Sequence, residues 1–169
     1  MDIRYSGLSR INHWFSVIFV VVMLTLGYMM FFANDRASGS YAEAAHIGVG
    51  FFAFWFLLWR TIYRLKMGFP AHKKQDRRHE FARVVHYLIL LGLTLLIITG
   101  PLYLFTENEG LAVFDWFTVN LDLTALSIVH EPAEEVHKIT GLYVLPVLLV
   151  VHIAGAVVTY LSDEGAARS

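Results

Sequence analysis

The chain has 169 residues, of which 57% are hydrophobic and only 16% charged. A water-soluble domain carries about a quarter charged residues, so this composition excludes intrinsic disorder and argues against a simple soluble globule. The absence of cysteine excludes disulfides, thiolate zinc sites, iron–sulfur clusters and covalently attached c-type haem, leaving eight histidines as soft ligands.

Four stretches hold no Asp, Glu, Lys or Arg: 11–33, 44–59, 84–106 and 139–162. A helix needs about 20 apolar residues to cross the hydrocarbon of a bilayer. The first, third and fourth stretches are long enough alone. The second becomes long enough if it runs to Tyr63, with Arg60 snorkelling to the interface. The predicted elements are therefore helices over 11–33, 44–63, 84–106 and 136–162, in one domain spanning 1–169. The fold class is all-α, an integral membrane bundle of four helices surrounded by lipid. The first stretch is too long for a signal-peptide core, and no small-residue cleavage site follows it.

The segments between the helices divide by charge. The N-terminal residues, the 65–82 linker and the C-terminal residues, with Arg60 and Arg64 at the end of helix two and Arg83 just before helix three, hold eleven of the thirteen basic residues and five acids. The opposite set holds Arg36 and Lys138 against nine acids, a net of −7 against +6. Basic residues stay in the cytoplasm, so both termini are expected there and the acidic segments outside. The basic linker is expected only to hold this orientation. The long outer segment, 107–135, is expected to carry a short interfacial helix with Trp116 and Phe117 at headgroup depth. His72 and His79 in the linker, and His130 in the outer segment, are expected to be solvated loop histidines. No nucleic-acid partner is expected.

Ionisable groups within membrane spans are costly and usually functional, and five histidines lie in or at the ends of the predicted helices. With the N-terminus inside, His46 and His137 fall near the outer face. His152 lies 15 residues beyond His137, about 22 Å along the axis, and so joins His13 or His86 near the inner face. Helical bundles build cofactor sites from side chains on facing helices. Two layers at this spacing suit two b-type haems, each held by two imidazoles. Depth alone leaves open whether His13 or His86 partners His152. Gly50, Gly141 and Gly155 follow His46, His137 and His152 by three or four residues, on the same helix faces, and leave room for a flat macrocycle.

The motifs Arg4-Tyr5-Ser6 leading to His13-Trp14, His46 with Gly50, Arg60 with Arg64-Leu65-Lys66, His86, and His137 with Gly141 and His152 run through nearly the whole chain. In this order and spacing the chain resembles the bacterial cytochrome b561 family, which is related to the cytochrome b subunits of hydrogenases and formate dehydrogenases. The resemblance implies a four-helix di-haem protein of the bacterial inner membrane that exchanges electrons with quinone near the cytoplasmic face. It implies His13 and His152 as ligands of the inner haem iron, and His46 and His137 of the outer. His86, Arg83 and Arg10 are left for a quinone or proton site.

Three functions follow as expectations. The first is a conduit between the quinone pool and a basic periplasmic partner, such as a c-type cytochrome, attracted by the acidic face. The second is a superoxide oxidase that passes electrons to ubiquinone, for which the acidic face is unfavourable unless Lys138 forms a local cationic funnel. The third is a haem-binding anchor subunit of a larger oxidoreductase.

Overall fold

A computed structural model of the protein describes residues 7–68 and 77–167. Four helical runs cross the molecule: α1 (Gly7–Phe31), α2 (Arg36–Met67), α3 (Arg77–Thr106) and a last run beginning at His130. That last run consists of α4 (His130–Ile139), a π turn (Thr140–Val144) and α5 (Leu145–Ala167). Each run contains a stretch long and apolar enough to cross a membrane. Large apolar side chains are exposed on all four, among them Phe15, Trp55, Ile98 and Val150. A helix that is apolar on its outer faces is solvated by lipid rather than water, so the chain is a multi-pass helical membrane protein.

The helices extend beyond the charge-free stretches. α2 begins at Arg36 rather than 44 and ends at Met67 rather than 63, and α3 begins at Arg77 rather than 84. Charge marks the edge of hydrocarbon, whereas a helix ends only where its terminal groups find other partners. Asp35 supplies one such partner for α2, its carboxylate accepting from the Ser38 amide at 2.8 Å. Gly68 supplies another at the far end, where its left-handed φ of 68° lets its amide donate to the Arg64 carbonyl.

Trp116 and Phe117 belong to a two-stranded hairpin, not an interfacial helix. Strands β1 (Leu111–Val113) and β2 (Phe117–Val119) pair antiparallel in the register Leu111↔Val119 and Val113↔Phe117. Val113 is fully buried, and Phe114 packs so closely on α2 that a Cβ at Gly48 would stand 2.9 Å from its ring. His79 lies on α3 and His130 at the start of α4 rather than in loops. His72 and Arg4-Tyr5-Ser6 lie outside the described residues.

The buried core sits at mid-height. Val20, Ala53, Leu57, Leu93, Ile97 and Leu145 pack together. Val20, Ala53, Leu93 and Leu145 are each seven or eight residues from a span histidine on their own helical run, or roughly 10–12 Å along it. The apolar core thus separates two ends of the bundle, each with its own histidines.

Candidate functional site

The acidic end is built from α1, α2, α3 and the last run. His46 from α2 and His137 from α4 face one another, their ring centroids 6.2 Å apart and their planes at 81°. Both line an apolar cavity of about 590 Å³ between the helices. Gly27, Gly50, Gly100 and Gly141 line the same space. Gly100 is placed against the imidazole itself: a Cβ there would lie 3.0 Å from His137 Cε1. At Gly27 a Cβ would lie 3.8 Å from His46 Cε1. These two glycines are on partner helices, where spacing from the histidine along its own helix does not find them. Gly50 and Gly141 stand next to Met23 and Leu96, and nothing lies within 4 Å of the position a Cβ would take at Gly155.

One hydroxyl orients His137. Thr99 donates to the Leu95 carbonyl at 2.7 Å, which leaves its oxygen to accept from His137 Nδ1 at 3.3 Å. A proton held on Nδ1 leaves Nε2 with a free lone pair, the form in which imidazole ligates metal. Thr99 is a third residue that the sequence reading missed, and its signal was a polar side chain within the span.

At the basic end His152 on α5 meets two imidazoles. Its ring centroid is 6.4 Å from that of His13 and 4.9 Å from that of His86. Arg10 and Arg83 are exposed. Arg60 does not snorkel to the interface: its Nη1 reaches across to α1 and donates to Asn12 Oδ1 at 3.0 Å and Ser16 Oγ at 2.9 Å. Arg64, one turn on, is buried, with its guanidinium 5.6 Å from the centre of the Tyr63 ring.

His130 caps the acidic end. Its Nδ1 lies 3.0 Å from the Tyr103 carbonyl and its Nε2 lies 3.2 Å from the Glu107 carboxylate. The Tyr103 ring in turn packs on His137 at 5.7 Å. Lys138, the neighbour of His137, is tied to Glu134 at 2.7 Å.

Membrane-crossing helices that gather imidazoles at two depths define a class, the multi-pass proteins that bind a cofactor between their helices. The family model of prokaryotic cytochrome b561 matches residues 4–167, and the chain belongs to that family. Membership makes it a membrane protein of b-type haem electron transfer. No curated protein and no solved structure is matched.

Proposed function

We propose that the protein binds two b-type haems and carries electrons across the bacterial inner membrane, between the quinone pool and a periplasmic redox partner. His46 and His137 would hold the haem of the acidic end, and His13 and His152 that of the basic end. A b-type haem supplies reversible one-electron oxidation and reduction at its iron.

The observation that carries this reading is the spacing of the two imidazole pairs. A ligating imidazole nitrogen sits about 2 Å from its metal, so two imidazoles on opposite sides of one metal have ring centres roughly 6 Å apart. The pairs at 6.2 and 6.4 Å fit. The His86–His152 separation of 4.9 Å is too short, which favours His13 as the fourth ligand. At the acidic end the glycine-lined cavity and the Nδ1 partner of His137 support the same assignment.

His86, against His152 at the basic end, is left to donate a hydrogen bond to a quinone carbonyl, with Arg83 and Arg10 exposed at that same end. The basic residues orient that end, and both termini, to the cytoplasm. The acidic face then attracts a basic partner such as a c-type cytochrome. The superoxide reading is weakened because Lys138 is paired with Glu134.

A redox titration of the visible spectrum tests the proposal. Two b-type components are expected. His46→Ala should remove one and His152→Ala the other, and added quinol should reduce both. A single component, or a spectrum that quinol leaves oxidised, overturns it; the latter would favour an anchor subunit.

A further inference from the structure

Among the described residues Arg60 is a charge without a matching acid. Its acceptors on α1 are the Asn12 carbonyl, Asn12 Oδ1 and Ser16 Oγ, all neutral. Among the described residues no carboxylate forms an ion pair with it. Its Nε is buried with no hydrogen-bond partner, as are Asn12 Nδ2 and, at the next position of α2, Thr61 Oγ1. Asn12 Nδ2 and Arg60 Nε can only donate, and Thr61 Oγ1 can donate as well. A half-buried guanidinium with a fully buried donor left unpaired is costly, and charges withdrawn from water are normally paired. The missing partner is therefore acceptor-rich and anionic. A planar carboxylate meets a guanidinium in two parallel hydrogen bonds, and the buried guanidinium of Arg64 lies one turn away.

The location selects the carboxylate. Asn12 adjoins His13, and Arg60 donates to both the carbonyl and the side-chain oxygen of Asn12. We infer that Arg60, with Asn12, forms a carboxylate subsite at the basic end, and that it takes a propionate of the porphyrin that His13 and His152 would hold. This rests on the haem assignment above. Arg60 is a binding residue for the acid group and also a source of positive potential next to the iron.

The test uses the intact haem-loaded protein, prepared with porphyrin labelled by 13C at its propionate carboxyls. Infrared difference spectra between oxidised and reduced protein report those carboxylates. A potentiometric titration reports each haem component. In Arg60→Gln the labelled band of the basic-end component should move toward that of a carboxylate without a guanidinium partner. The midpoint potential of that component should fall, because removing a positive charge disfavours the added electron, while the other component stays in place. Arg60→Lys should restore the potential better than the band, since lysine returns the charge but not the two-pronged contact. A labelled band and potential that are both unchanged in Arg60→Gln overturn the subsite, and so does a change confined to the acidic-end component. A band that responds instead to exchange of the bulk anion assigns Arg60 to a free anion and overturns the propionate. If His152→Ala leaves both components intact, the haem assignment itself fails, whatever Arg60 does.

Discussion

Replacing Tyr28 by Phe removes one oxygen, and the structure says what that oxygen does. Pro146 has no amide hydrogen, so the carbonyl four residues before it, that of Leu142, loses its helical donor. The chain widens there into the π turn Thr140–Val144, where the Leu145 amide reaches back to Thr140. Tyr28 Oη fills the vacancy from α1, donating to the Leu142 carbonyl at 2.5 Å. A buried carbonyl left unsatisfied costs about 1–3 kcal/mol. Interhelical hydrogen bonds in membranes average nearer 0.6 kcal/mol, because the unfolded chain in lipid also finds partners. The contact is only part-buried, so Tyr28→Phe is expected to cost about 1 kcal/mol.

The assay is unfolding in detergent followed by haem absorbance. The loss should fall on the acidic-end component, since Tyr28 adjoins Gly27 beside His46, and Leu142 adjoins Gly141 in the cavity wall. A double-mutant cycle isolates the cause. Pro146→Ala returns an amide hydrogen to the helix, so Tyr28→Phe should cost less in that background than in the wild type. Equal costs in both backgrounds would refute the account of the proline and the hydroxyl as partners in one repair.

Three further outcomes follow from single contacts. Thr99→Val removes the acceptor at His137 Nδ1 with little change of shape, and should weaken acidic-end haem binding by about 10–100-fold, as for other partners of metal-bound imidazoles; a haem dissociation assay reads this, and Thr99→Ser should retain most of the affinity. Gly100→Ala places a methyl 3.0 Å from His137 Cε1, an overpacking worth about 1–3 kcal/mol; it should shift the acidic-end spectrum, whereas Gly92→Ala, with its nearest neighbour at 3.7 Å, should not. The hydrogen bond from the Ser38 amide holds the exposed Asp35 carboxyl below its ordinary pKa. A carboxyl whose pKa is lowered by folding stabilises above its unfolded value, near 4, and that support is lost as pH falls through the lower folded value. Unfolding measured from neutral pH into this acid range should show less pH dependence in Asp35→Asn, which keeps a cap without the charge.

The charge-free stretches located all four spans, because an isolated charge in hydrocarbon is too costly to be common. They did not locate the helix ends, which lie where charge is tolerated. The hairpin escaped because strands of three residues, Leu111–Val113 and Phe117–Val119, are too short to show a period of two. Histidine depth was readable from sequence and histidine direction was not. His13 and His86 enter at the same level on different helices, and only the packing of α1, α3 and α5 gives them separations of 6.4 and 4.9 Å from His152. Thr99, Gly27 and Gly100 act on histidines of other helices, and no spacing within one helix reveals that.

The direction of His152 shows where arithmetic on an ideal helix fails. Fifteen residues separate it from His137, and about 100° per residue turns the second histidine some 60° past whole turns. The π turn lies between them and absorbs about one extra residue. The rotation is then that of roughly 14 residues, which falls some 40° short of whole turns. The face that His152 presents is thus reset by about 100° relative to a straight helix of the same sequence. Pro146 favours the turn by lacking a donor, and Tyr28 stabilises it by supplying one. A contact near the acidic-end histidines therefore helps to set which imidazole His152 meets at the basic end, and the two proposed haem sites are coupled through the phase of one helix.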